Sequence, residues 1–299
     1  MSTGTRWHEM AEKGSVLGIR TVVVLATMLG RRATRAVLPL IAVWYVLFHP
    51  TVRRASRDYL ARLHGRASLA DVYRHVLCFA RVTLDRLFFA RGLTQPFALS
   101  FHGEEYLREL RASGRGALLV LAHLGSFEVL RASSGLRDLP VNFLGYFRSA
   151  RMINAALRKL NPEVDARLIE IRPEDPTFVL DVEERIAAGD VVGTMGDRVG
   201  HDGKAVVVPF LGAPAAFPSG PYLLAAAIGC PVYLAFGLYE EPNRYALHCE
   251  PFAERVVLPR ASRADAVAAY AARYAERLEH YCRLAPNDWF NFFPFWSSR

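Results

Sequence analysis

Lysine is nearly missing from this 299-residue sequence: Lys13, Lys159 and Lys204 are the only three, so 34 of its 37 basic residues are arginine. That bias reads as GC-rich coding, and it makes any single arginine a weak marker of function. Cysteine is scarce too. Cys78, Cys230, Cys249 and Cys282 stand far apart, with no C-x-x-C and no Cys/His cluster at zinc spacing. A disulfide scaffold and a zinc module lose their warrant, and free thiols in a reducing compartment are the simplest reading. No G-x-S-x-G, G-x-G-x-x-G or G-x4-G-K-[ST] occurs, which removes a serine-hydrolase elbow, a dinucleotide fold and a P-loop. Without a helix-turn-helix pattern or exposed aromatics interleaved with the cations, nucleic acid is not an expected partner. Residues 1–15 lack the order of a removable signal peptide.

Greasiness and an uneven charge are what the chain does have. Apolar residues make up 52% and mean hydropathy is +0.12. Net charge is +8, but residues 1–100 hold 15 Arg and Lys against 5 Asp and Glu. The excess cations sit beside the most apolar stretch, two arms at Thr21–Gly30 and Ala36–Phe48 split by Arg31-Arg32-Ala33-Thr34-Arg35. Neither arm reaches the roughly 20 residues a spanning helix needs, and three central arginines would be costly in one crossing. Interfacial or re-entrant helices on an anionic bilayer surface fit this pattern, with Trp44 and Tyr45 at headgroup level. A pair of core helices in a soluble domain is the other reading. Further helices are expected at 50–63 and 69–89, completing a basic, membrane-associating region over 1–95.

From residue 97 apolar runs alternate with helical segments. Strands are expected at 97–101, 117–122, 141–146, 167–171, 191–195, 206–208, 232–238 and 245–249. Helices are expected at 104–111, 127–133, 150–160, 176–188 and 221–228, with a last one at 263–284. Such alternation predicts an α/β domain over 96–299, a mostly parallel central sheet flanked by helices.

The most informative stretch is Leu118-Leu119-Val120-Leu121-Ala122-His123-Leu124-Gly125-Ser126-Phe127-Glu128. A buried-type strand delivers a histidine into a Gly-Ser turn. Ser126 reads as an N-cap, which places Glu128 in a first helical turn from which it can fold back towards the imidazole. A histidine oriented by a carboxylate is a general base for a hydroxyl or an amine. Other residues carry two readings each. Arg148 follows a strand, where α/β sites gather, and Arg151 is an anion ligand or a solvated helix residue. Asp197 positions a partner or simply forms a turn. Ser219 caps the helix beginning at Pro221 or acts as a nucleophile. His201 is too loosely placed to be a ligand. The tail Trp289-Phe290-Asn291-Phe292-Phe293-Pro294-Phe295-Trp296 lines a tunnel, touches the membrane interface or packs on the sheet.

His123-x4-Glu128 resembles the signature of the glycerolipid and lipid A acyltransferases, and three later segments agree in order. Tyr146–Arg151 is similar to the segment carrying their functional arginine, and Val191–Arg198 to their strand ending in aspartate. Val208-Pro209-Phe210-Leu211-Gly212 with Ala216–Gly220 is similar to their VPFFG block. The resemblance spans roughly residues 100–296. It implies an acyltransferase at the cytoplasmic face of a bacterial inner membrane. It also implies transfer from an acyl carrier protein or coenzyme A thioester to a lipid or glycolipid acceptor, with neither a metal nor another cofactor. His123 would be the base and Glu128 its orienter. Arg148, with backbone N–H groups near the helix start, would offset the oxyanion, and Asp197 would hold Arg148 or the acceptor. Gly125, Ser126, Arg151, Arg198, Pro218, Ser219 and Gly220 would contact substrate. A His-Glu lipid hydrolase and a catalytically silent lipid-binding protein are the rivals.

Overall fold

The computed structural model describes residues 26, 28, 30–129, 141–146, 167–172, 175–200 and 203–296. Seven strands form the main sheet: β1 (Ala98–His102), β2 (Ala117–Leu121), β3 (Val141–Gly145), β4 (Leu168–Glu170), β5 (Val191–Met195), β8 (Val232–Glu240) and β9 (Arg244–Ala253), in the order β1-β9-β8-β2-β5-β3-β4. Strands β8, β2, β5, β3 and β4 are parallel. The short 241–243 connection turns β9 antiparallel to β8, and β1 runs parallel to β9. The expected mostly parallel α/β sheet is therefore present, with two strands reversed at one end. The 206–208 strand does not join it. β6 (Ala205–Phe210) and β7 (Ala213–Pro218) make a separate antiparallel hairpin in which Pro209 faces Pro214. Prolines cannot donate to a ladder, so such strands are unsuited to the middle of a sheet.

Strand β2 shows why the central strands are apolar throughout. Leu118 and Val120 face one buried cluster, Ala117, Leu119 and Leu121 the other, because side chains alternate across a sheet. On the first face lie α5 (Phe178–Ala187), α6 (Gly220–Ile228) and α7 (Arg263–Leu284), together with Tyr59, Leu60 and Leu63 of α2 (Pro50–His64). The second face is covered by α1 (Gly30–Phe48), α3 (Leu69–Ala90) and α4 (Glu104–Ala112). Helix α3 starts with a capping box, in which Ser68 and Asp71 exchange side-chain and backbone hydrogen bonds. The amino-terminal helices and the sheet thus share both cores.

Helix α1 begins at Gly30 and carries the arginine cluster in its first two turns. Arg31 forks onto the buried Asp85 of α3 at 2.6 and 2.8 Å, while Arg35 donates to the Tyr239 hydroxyl and to Glu241. These cations pin the helix to the protein. Its Leu38, Ala42 and Val46 stripe is buried, whereas Leu40, Val43, Trp44, Leu47 and Phe48 are exposed. Among the described residues no single helix is long and apolar enough to cross a membrane; α1 and α2 qualify only together, across a 96° bend. Most of the first apolar arm, residues 130–133 of the helix expected at 127–133, and the whole helix expected at 150–160 lie outside the described residues.

Candidate active site

The sheet register brings the site together. Leu121 of β2 pairs with Met195 of β5, so two residues further on His123 and Asp197 emerge side by side. The Asp197 carboxylate accepts twice from the same residue: Oδ1 from His123 Nδ1 at 2.8 Å and Oδ2 from the His123 backbone N–H at 2.9 Å. With Nδ1–H donating to a carboxylate, the imidazole is held in the tautomer whose Nε2 is basic. The ring keeps 31% of its side-chain surface open, and Nε2 has no partner among the described residues.

Electrostatics favour that state. Burial, and after it the Arg198 charge, lower the His123 pKa below the ordinary imidazole value, against the pull of Asp197. Burial alone would raise Asp197, but the imidazole and Arg198 outweigh it and hold the carboxyl at about 2. A neutral base beside a permanently charged orienter is the arrangement of a His–Asp dyad.

Glu128 does not take the orienting role expected of it. Its Oε2 accepts from the Ser126 hydroxyl at 2.8 Å, and its Oε1 from Arg86 Nε of α3 at 2.5 Å. Ser126 thus turns Glu128 back upon itself and not onto the imidazole, because the two-residue step is closer than the five-residue one. The Arg86 guanidinium also lies over the Phe127 ring at 5.2 Å. Gly125 and Ser126, expected to contact substrate, have their backbone N–H groups engaged within the protein: Gly125 N–H donates to Asp288 O and Ser126 N–H to Gly237 O, both at 2.8 Å.

A tail segment completes the centre. Phe290 N–H donates to His123 O, and Leu124 and Trp289 form an antiparallel bridge, so residues 288–290 line up along 123–125 as a short extra strand. Trp289 donates its indole N–H to Asp197 Oδ2 at 3.0 Å. Arg198 Nη2 donates to Phe290 O at 2.8 Å. His75 of α3 is fully buried, with a pKa lowered by burial to about 4, and its neutral ring bridges Ser56 Oγ (2.7 Å) and Trp289 O (2.9 Å). Since a carbonyl can only accept, Nε2 carries the His75 proton and Nδ1 accepts from the Ser56 hydroxyl.

Of the expected residues, then, His123, Gly125, Ser126, Asp197 and Arg198 converge. Pro218, Ser219 and Gly220 form the junction between β7 and α6, with Ser219 N–H donating to Lys204 O. Ser219 stands at the N-cap position, yet its hydroxyl makes no capping hydrogen bond. Arg148, Arg151 and His201 lie outside the described residues. Arg86, His75 and Trp289 had no sequence signal beyond the aromatic density of the tail. Among the described residues no group of His, Cys, Asp and Glu has the arrangement of a metal site.

A family model for the bacterial lipid A biosynthesis acyltransferases matches residues 17–298, nearly the whole chain. No curated protein matches it.

Proposed function

Because the chain belongs to the bacterial lipid A biosynthesis acyltransferase family, and so is an acyltransferase, we propose that it acylates a hydroxyl or amine of a lipid A-type glycolipid using His123 as general base. The donor would be an acyl carrier protein or coenzyme A thioester. His123 Nε2 takes the proton of the acceptor as its oxygen or nitrogen attacks the thioester carbonyl. Collapse of the tetrahedral intermediate breaks the C–S bond, and the imidazolium returns the proton to the leaving thiolate. Asp197 holds the tautomer and stabilises the imidazolium; Arg148 is the proposed counter-charge for the oxyanion. Glu128, fixed by Arg86 and Ser126, would shape the acceptor's approach. The observation that carries the reading is the His123–Asp197 pair with an open Nε2.

The exposed apolar face of α1, with the exposed Arg54 and Arg57 on the following helix α2, suits insertion into the surface of an anionic leaflet. We assign this face to the cytoplasmic side of the inner membrane, where acyl thioesters are found. Transfer of a radiolabelled dodecanoyl group from its acyl carrier protein thioester to a lipid A-type glycolipid tests the chemistry. His123→Ala is expected to lose about 10²- to 10⁴-fold and Asp197→Asn a comparable amount, with the fold retained. Asp197→Asn should nevertheless melt lower, because the folded state favours its buried carboxylate. Turnover above half of wild type in His123→Ala would sink the base assignment, and fatty acid released at full rate without acceptor would make the enzyme a hydrolase.

A further inference from the structure

Trp289 is placed by everything around it. Helix α7 ends at Leu284, Asp288 N–H closes a turn onto Ala285 O, and the following residues anneal to 123–125. The Asp288 carboxylate accepts from the Tyr239 backbone N–H at 2.5 Å and from the Cys78 thiol at 3.2 Å, while His75 donates to the Trp289 carbonyl. The indole itself is 1% exposed. Its ring meets Tyr59, Phe210 and Phe295 edge-on, at centroid distances of 5.0, 5.3 and 4.9 Å. An indole enclosed on this many sides has one orientation, and its single polar hydrogen points at Asp197 Oδ2.

That oxygen already receives the His123 backbone N–H. That bond and the Nδ1–H bond to Oδ1 both come from His123, so without a further donor the carboxylate and the imidazole can shift together. Rocking about the Cβ–Cγ bond then swings Oδ1 out of the imidazole plane. Two donors arriving from different elements remove that freedom. We infer that Trp289 is a positioning residue for acyl transfer: its indole N–H locks the Asp197 carboxylate so that Oδ1 stays on His123 Nδ1. The carboxy-terminal segment is thereby part of the active centre as well as of the core. This rests on the reading of His123 as the base.

The N–H must be separated from the ring's bulk to test this. Trp289→Phe removes both the N–H and some volume. Trp289→3-benzothienylalanine, introduced by codon suppression, keeps the shape and replaces only the N–H by sulfur. Both proteins, full-length in nanodiscs, would be compared with wild type in the dodecanoyl transfer assay. The imidazole Nδ1–H resonance of His123, assigned by its loss in His123→Ala, would be followed in the absence of any substrate. Losing a hydrogen bond to a charged group is expected to lower kcat about 10- to 100-fold with KM little changed. The Nδ1–H resonance should move upfield or broaden in both variants. Either an unmoved resonance or an unchanged kcat in the benzothienylalanine protein overturns the inference and leaves Trp289 as packing. Wild-type turnover in His123→Ala would instead overturn the base assignment, so the two failures are distinguishable.

Discussion

A β-carbon on Gly125 would lie 1.8 Å from the carbonyl oxygen of Gly237. The reverse holds as well, since a β-carbon on Gly237 would lie 2.0 Å from Ser126 O. The chain leaving His123 therefore presses directly against the backbone of β8, and Gly125 does so at a φ of +60°, where side chains are strained. Both glycines are required by a close approach of main chain to main chain, which no rotamer change can relieve.

Alanine at either position is expected to push 123–126 away from β8 and carry the imidazole with it. Gly237→Ala is the cleaner variant because no positive φ is involved. It should cost about 3 kcal/mol or more, a fall in Tm of roughly 6 °C for a chain of this size, and most of the transfer activity. A Gly237→Ala enzyme with wild-type melting and turnover would show that the two segments are not held this close in solution.

Glu128 and Arg86 should behave as one unit. Arg86→Ala leaves a half-buried carboxylate with the Ser126 hydroxyl alone, and Glu128→Ala leaves the guanidinium over Phe127 without its anion. Each single variant is expected to lower transfer at least 10-fold, and the double variant little further, because contacting partners are not additive. Multiplied losses in the double variant would mean that the two side chains serve separate purposes.

Much of this centre could be read from the sequence, and the part that could not has a physical reason. His123 and Asp197 each follow an apolar run, which puts both at strand ends, and parallel pairing of β2 with β5 makes them neighbours. The partner of Glu128 is not legible, because Arg86 comes from a helix 42 residues earlier whose face cannot be aligned with the turn by spacing. Trp289 lies inside a run so rich in aromatic rings that nothing in the sequence distinguishes the one with a polar target. The β6–β7 hairpin is hidden in the sequence for a different reason. Ala213–Pro218 has too many prolines and alanines to resemble a strand, and its pairing is set by the Leu211-Gly212 turn, where both residues have positive φ.

Activity should fall in acid at a pH below the ordinary imidazole range. Burial and then Arg198 lower the His123 pKa, so the neutral base persists to lower pH than a solvated histidine would. Arg198→Gln removes the positive charge. The His123 pKa then rises, and the acid limb of kcat/KM is expected to move to higher pH, since that limb reports the free enzyme's base. The pH profile of dodecanoyl transfer measures this directly. A limb that stays in place would show that the Arg198 charge is not felt at the imidazole.

Asp288 gives the fold its own pH dependence. Burial raises its carboxyl from 3.8 to about 7, with the Glu241 charge adding to the rise and the Tyr239 N–H and Cys78 thiol opposing it. Below pH 4 both folded and unfolded chains hold the proton, and this group leaves stability unchanged. Between about pH 4 and 7 the folded state keeps a proton that the unfolded chain has released, so unfolding becomes easier as pH rises. Above pH 7 both states are charged and the penalty is constant, at most about 4 kcal/mol by the value of a pKa unit. Asp288→Asn cannot ionise. Its stability curve should therefore lack the decline that wild type shows across this window, once the contributions common to both proteins are subtracted. The same substitution leaves the Asp288 backbone carbonyl on Gly125, so the alignment of 288–290 with 123–125 should persist. Urea melts at closely spaced pH values from 4 to 8 would decide the matter: parallel curves for the two proteins would mean that the Asp288 carboxyl is already ionised at pH 4.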